Sequence, residues 1–251
     1  MDVLEYPDIE NEYFNRNIYF KQEFNELKNS GKYTKKGFQL STAQQFLKTY
    51  MSEDTPYNGI LVNHGVGQGK TCTGITIAEN YKNKIKAEKK KIYILTPSST
   101  LDETWKKEIF NISKEENKKP EEKGVNIQCT GDFYTKFYNT LNNMTDEGKR
   151  RKMTKFIREY YDVKGYLTFV NTIKKDILKL SERNNTLSYE AVQIRYIKDT
   201  FSNCVFVMDE VHMTRLGGSD DKNKIAPPYL ELIARYAENT KFVLLSATPI
   251  F

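Results

Sequence analysis

From about residue 38 onward, short apolar runs alternate with longer stretches in which apolar residues recur every three or four positions. The runs are Gly59–Asn63 (GILVN), Lys91–Thr96 (KIYILT), Cys204–Met208 (CVFVM) and Lys241–Leu245 (KFVLL). Unbroken apolar runs of this length suit strands buried on both faces, because a half-exposed strand alternates apolar with polar residues. Val125–Cys129 (VNIQC) and Tyr166–Val170 (YLTFV) are weaker strand candidates. Between the runs the spacing is helical. In TAQQFLKTYM, for example, Phe46, Leu47 and Tyr50 share one face, and the Thr55-Pro56 break follows. This alternation predicts an α/β fold, a mostly parallel sheet with helices on both faces.

The segments flanking this pattern read differently. Residues 1–36 are polar and rich in Tyr, Phe, Glu, Asn and Lys, and we expect short helical pieces that pack on the core or on a partner. Residues 37–251 then form the main domain. Three stretches carry the charge and turn residues of solvated loops: SKEENKKPEEKG (113–124), NNMTDEGKRRK (142–152) and LGGSDDKNK (216–224). The sequence stops right after a strand and Ser246-Ala247-Thr248, the pattern expected of one domain cut from a longer chain.

Composition changes this picture little. Hydrophobic residues are 38% and charged residues 29%, an ordinary globular balance. The formal charge of +6 is compatible with a phosphate backbone as partner, and solubility alone also explains it. Cys72, Cys129 and Cys204 are far apart and in no CxxC arrangement, which argues against a disulfide framework and for a reducing, intracellular setting. Two histidines without clustered thiols argue against structural zinc. The N-terminus lacks a basic-then-apolar signal, and no run approaches the roughly 18–20 apolar residues of a membrane span.

The candidate chemistry lies at the ends of the apolar runs. His64–Thr71 (HGVGQGKT) sits between the first run and a helix starting near Lys70. Glycines in that setting let successive backbone N–H groups turn inward around phosphates, and the helix N-terminus adds its positive dipole end. Lys70 is placed to reach the terminal phosphates and the Thr71 hydroxyl to ligate Mg²⁺. The candidate nucleotide-contacting set is His64, Gly65, Val66, Gly67, Gln68, Gly69, Lys70, Thr71 and Cys72. His64 replaces the first glycine of the strict G-x-x-x-x-G-K-[ST] pattern, and a G-x-G-x-x-G fingerprint is absent.

VFVMDEVH (205–212) ends an apolar strand in two carboxylates, at the carboxyl end of the sheet where ligands bind in such folds. Asp209 is suited to hold Mg²⁺ through water, and Glu210 to orient or deprotonate an attacking water. Such a pair is often plain surface; after a phosphate-binding loop it becomes specific. His212 alone would read as structural, but D-E-x-H changes that reading. The hydroxyls of SATP (246–249) are suited to bond this segment, making His212, Ser246, Ala247 and Thr248 a coupling set.

These three motifs in this order resemble motifs I, II and III of superfamily 2 helicases and translocases, in their first RecA-like domain. The resemblance spans residues 38–250 and implies ATP with Mg²⁺, with Lys70, Asp209 and Glu210 catalytic and Thr71 and Asp209 on the metal. Phe38-Gln39-Leu40 followed by Gln44 is similar to the adenine-sensing Q motif, which assigns adenine to Gln44. ILTPSSTLDETW (94–105) looks like motif Ia with the tryptophan of Snf2-like relatives, and Cys129-Thr130-Gly131 like motif Ib. That assigns nucleic-acid backbone contacts to Ser98, Ser99, Thr100, Thr130 and Gly131.

YMSEDTPYNGILVNHGVGQGKTC (50–72), YYDVKGYLTFVN and YPDIENEYFN are closer still to the helicase-like transcription ATPases of large nucleocytoplasmic DNA viruses. That group is related to the poxvirus early transcription factor small subunit and nucleoside triphosphate phosphohydrolase I. The similarity implies a nucleic-acid-dependent ATPase with DNA or RNA as partner and viral RNA polymerase or other transcription proteins beside it. It implies no membrane, and an infected-cell cytoplasm (virus factory) and virion as settings. Two alternatives share the motifs: a remodelling or docking subunit of a viral polymerase without strand separation, and a Snf2- or restriction-type DNA translocase. Motifs IV to VI and their arginine finger, which contributes roughly 10³–10⁵ in rate, are not in these residues. The chain alone is therefore expected to bind ATP weakly and hydrolyse it very slowly.

Overall fold

The computed structural model describes residues 6–29, 37–65, 67, 69–119, 122, 124–184, 186–214 and 226–248. Four strands arise from the four strong apolar runs: β1 (Gly59–Asn63), β2 (Ile92–Thr96), β4 (Val205–Met208) and β5 (Lys241–Ser246). With β3 (Tyr161–Gly165) they form one parallel sheet in the order β1-β5-β4-β2-β3. The expected α/β fold with a parallel sheet is what the chain adopts.

The two-residue period of a strand explains how unbroken apolar runs serve two cores. Ile92, Ile94, Val205, Val207, Val243 and Leu245 point to one face. There they meet α4 (Lys70–Ala78), α5 (Lys82–Ala87), α6 (Ser99–Ile109), α8 (Phe133–Asn139) and α9 (Asp146–Tyr160). Tyr93, Leu95, Phe206 and Met208 point to the other face, against α10 (Tyr166–Glu182), α11 (Tyr189–Phe201) and α12 (Ala226–Tyr236). Two of the three interior strands, β2 and β4, are buried throughout.

Two weak strand candidates are corrected. Tyr166–Val170 opens α10, and its buried residues Tyr166, Phe169, Val170, Ile173 and Ile177 follow helical spacing. The strand is the preceding YDVKG, an edge strand in which only Tyr161 is fully buried, so it lacks an apolar run. Val125–Cys129 is a loop. There Asn126 Oδ1 accepts from Gln128 N at 3.0 Å, and the Gln128 amide bridges Asn111 N and O at 3.1 Å each, so side chains replace a ladder. Parts of two expected loops are helical: α7 (Ile112–Glu116), and α9, whose Thr145 cap accepts from Gly148 N. The stretch 216–224 lies outside the described residues.

A smaller aromatic cluster lies beside the sheet. α1 (Phe14–Tyr19) and α2 (Gln22–Asn25) lay Ile18 and Phe24 against Phe46, Tyr50 and Tyr57, and the Tyr57 hydroxyl donates to Pro7 O at 2.8 Å. Phe46 and Tyr50 belong to α3 (Thr42–Tyr50), whose start is fixed by a capping box. Ser41 Oγ accepts from Gln44 N, and Gln44 Oε1 accepts from Ser41 N.

The cysteine expectation is also overturned at one place. Cys72, buried in α4, is joined to Cys129 by a disulfide, their Cα atoms 5.5 Å apart across 57 residues of sequence. Sequence distance hid the pair because α4 and the loop before α8 meet only in the fold. Cys204 is free and buried, and burial pushes its thiol pKa up.

Candidate active site

All the candidate catalytic residues stand at the carboxyl ends of neighbouring strands. β1 leads to the loop before α4, β4 ends at Met208 just before Asp209, and β5, which lies between them, ends at Ser246. Lys70 therefore begins its helix on one side of β5 and reaches to the carboxylates on the other. Its Nζ lies 3.2 Å from Asp209 Oδ1 and also pairs with Glu210 Oε1. Burial works against the Lys70 charge, but the Glu210 hydrogen bond and the Asp209 charge outweigh it and raise its pKa above the usual lysine value.

Asp209 is held on every side. Its backbone N donates to Leu95 O at 2.8 Å, Trp105 Nε1 donates to Oδ2 at 2.9 Å, and Tyr166 OH donates to its carbonyl at 2.8 Å. Oδ1 also accepts from Glu210 N at 3.0 Å. Glu210 itself turns into the left-handed region (φ 48°), a conformation that a non-glycine residue keeps only when its surroundings fix it. Trp105 was visible in the sequence only as a similarity to Snf2-like relatives. The roles of Tyr166 and Thr73 had no sequence signal, since each contact joins residues from separate elements.

The DEVH and SAT segments meet. His212 Nδ1 lies 3.1 Å from Ser246 Oγ, 3.3 Å from Thr248 Oγ1 and 3.3 Å from Glu210 Oε2. Ser246 gives its one hydroxyl proton to Thr248 O at 2.6 Å, so the proton shared with His212 sits on the imidazole Nδ1. Ala247 N reaches Glu210 Oε2 at 3.5 Å. Glu210 thus has one oxygen on Lys70 and the other on the end of β5.

Gln44 is buried, and its amide is engaged: besides the capping box, Nε2 donates to Thr73 Oγ1 at 3.2 Å and Gly69 O at 3.4 Å. It therefore braces the phosphate loop from behind. Gly69 caps α4 in the left-handed region (φ 76°), and a Cβ there would stand 3.0 Å from Gln44 Nε2. Gly67 is also left-handed (φ 82°), with open space where a Cβ would go. His64 N donates to Ser246 O at 3.2 Å, while its buried Nδ1 has no hydrogen-bond partner among the described residues. Val66 and Gln68 lie outside the described residues.

The motif Ia and Ib residues separate. Ser98, Ser99 and Thr100 are exposed at the start of α6, beyond the carboxyl end of β2. Thr130, by contrast, is buried and spends its hydroxyl proton on Ile109 O at 2.9 Å, leaving left-handed Gly131 (φ 72°) at the surface turn.

These residues fit a magnesium nucleotide. Lys70 with Asp209 and Glu210 sums to one negative charge, which a divalent cation complements, and the Thr71 hydroxyl has no protein partner among the described residues. The α4 N-terminus and the open glycine loop supply donors for phosphate oxygens.

A family model described as "Type III restriction enzyme, res subunit" matches residues 25–251. A mimivirus protein named as an ATP-dependent RNA helicase is 26% identical over 98% of this chain and 22% of its own length. A second mimivirus protein of the same name type is 28% identical over 85% of this chain and 30% of its own. A Frog virus 3 protein named as a helicase is 29% identical over 82% of this chain and 18% of its own. The chain spans less than a third of the length of these relatives.

Proposed function

This chain belongs to the family of the type III restriction enzyme res subunit, and from that premise we propose that it is the ATP-binding RecA-like domain of a nucleic-acid-dependent ATPase. The observation that carries the reading is the Lys70 ion pair with both Asp209 and Glu210 across the ends of β1 and β4. The two carboxylates neutralise the Lys70 ammonium. Terminal phosphates would draw Lys70 away, freeing Glu210 Oε1 to accept a proton from water and Asp209 Oδ1 to face the metal hydration shell. Bound Mg²⁺, on Thr71 and the Asp209 side, would neutralise charge on the phosphates. The His212–Ser246–Thr248 cluster shares Glu210 Oε2, so a shift of Glu210 is felt at the end of β5.

The names of the viral relatives favour RNA or DNA as the activating partner and an infected cell as the setting. The test is ATP hydrolysis by the full-length protein with and without nucleic acid, for the parent and for Glu210→Gln. The reading expects binding of ATP to persist and nucleic-acid-stimulated turnover to stop; near-normal turnover in Glu210→Gln overturns the role assignment. Docking to a transcription protein is a second reading, supported by Ile9, Tyr13, Tyr19 and Phe20, which stay exposed on the N-terminal segment. Pull-down of the cognate RNA polymerase with and without residues 1–36 tests it.

A further inference from the structure

The net charge of +6 is unevenly placed. Residues 82–91 and 146–160 together hold 12 of the 39 basic residues and 4 of the 33 acidic ones, a balance of +8, so the remainder has 27 basic against 29 acidic. The two segments meet in space although more than fifty residues of sequence separate them. Lys91 Nζ donates to Glu159 O at 2.9 Å and also to Arg158 O, and Lys86 Nζ sits 5.6 Å from the Tyr160 ring centroid. The meeting point is the amino end of the sheet, because Lys91 precedes β2, Tyr160 precedes β3, and Ile92 pairs with Tyr161. Lys70, Asp209 and Ser246 stand at the opposite ends of their strands.

Lys86, Lys89, Arg150, Arg151, Lys152, Lys155 and Arg158 are exposed on this face. Some of the charge is compensated: Arg151 pairs with Glu147 at 2.6 Å, Arg150 with Glu116 at 3.7 Å and Lys149 with Asp146 at 3.9 Å. Glu88 and Glu159 are the remaining carboxylates of the two segments. Lys86, Lys89, Lys152, Lys155 and Arg158 have no ion-pair partner among the described residues. Along α9, Arg151, Lys155 and Arg158 form one stripe with rises of about 6 and 4.5 Å. The aromatic side chains of the two segments, Phe156 and Tyr160, pack into the core, so these segments present charge rather than exposed rings on which unpaired bases could stack.

The geometry points to a second nucleic-acid contact, in which α9 and the Lys86–Lys91 turn hold the phosphate backbone of a duplex at the edge of the domain away from the ATP site. It rests on the nucleic-acid-dependent reading above and adds a contact outside motifs Ia and Ib. Recognition there is by charge alone. It therefore carries no sequence preference and is strongly salt-dependent, through release of counterions.

The test uses the 251-residue chain, a short fluorescein-labelled DNA duplex and fluorescence anisotropy over about 50–200 mM salt. K152A/K155A/R158A should weaken binding about tenfold or more at the low-salt end and reduce the slope of log affinity against log salt by about 2.7. K86A/K89A, on the other segment, should reduce the slope by about 1.8. K175A/K179A on α10, which removes equally exposed charge elsewhere, should match the parent. Circular dichroism of each variant keeps folding out of the comparison. If the parent binds and both basic-face variants match it, the surface is overturned and the proposed function stands. If the parent binds neither duplex nor single strand, the nucleic-acid reading falls with it. If the variants lose binding only to phosphatidylserine vesicles, the surface belongs to a membrane and the proposal is wrong.

Discussion

Replacing Trp105 with phenylalanine keeps an aromatic ring in the core but removes the one side-chain donor to Asp209 Oδ2 among the described residues. Trp105 is 1% exposed and Asp209 5%, so water does not easily replace the lost bond. A hydrogen bond to a charged group contributes about 1.5–3 kcal/mol. The smaller ring leaves a void worth roughly 1 kcal/mol at about 24 cal/mol per Å³. Together these predict a fall in Tm of roughly 5–15 °C for a chain of this size. A double-mutant cycle separates the two terms, because the void is common to Trp105→Phe alone and Trp105→Phe with Asp209→Ala. Urea unfolding of the four proteins, followed by far-UV circular dichroism, should give a coupling energy of about 1.5–3 kcal/mol. Coupling below about 0.5 kcal/mol would show that the indole N–H does not hold the carboxylate, and the positioning argument would fail.

Other elements make separate predictions. Gly74→Ala would place a Cβ 2.9 Å from Val207 Cγ1 and 3.0 Å from Leu245 Cδ1, and should lower stability by about 1–3 kcal/mol in the same unfolding assay. Gln44→Ala removes the side-chain half of the capping box and the brace on Gly69, while Ser41 Oγ still caps the backbone N, so it should cost about 1 kcal/mol and raise the Kd of a fluorescent ATP analogue severalfold. Reducing the Cys72–Cys129 bond opens a long loop, and a phosphine reductant should lower stability by about 2–4 kcal/mol while leaving a Cys129→Ser variant unmoved. The Lys70 pKa is raised on folding, so its ion pairs contribute fully below pH 10.5 and lose that contribution as pH rises through the folded value. Lys70→Met should remove this part of the alkaline stability profile.

How legible the molecule was in its sequence follows from where the physics is local. β1, β2, β4 and β5 were readable because burial on both faces forces unbroken apolar runs. β3 was not, because an edge strand needs only one buried residue, Tyr161, and its partner supplies the rest. YLTFV looked like a strand because five residues are too few to tell period two from period 3.6; extending to Ile173 and Ile177 reveals the helix. At the site, Lys70, Asp209, Glu210, His212 and Ser246 come together, as their positions after strands suggested. The Trp105, Tyr166 and Thr73 contacts and the cysteine pair were hidden, because each depends on which helix lies over which strand. Thr130 shows the converse: a residue can fit a motif by spacing while the fold has already used its hydroxyl.

Trp105 is the only tryptophan in the chain. Its indole N–H donates to Asp209 Oδ2, so the chain's single indole reports on a buried carboxylate that pairs with Lys70. Any event that moves Lys70 off the carboxylates, or brings a cation to them, changes the field along that indole and with it the emission wavelength. The domain thus carries its own optical readout: stopped-flow mixing with nucleotide can time the switching of the ion pair without a label, and a silent indole would mean that the carboxylate pair had not felt the phosphates.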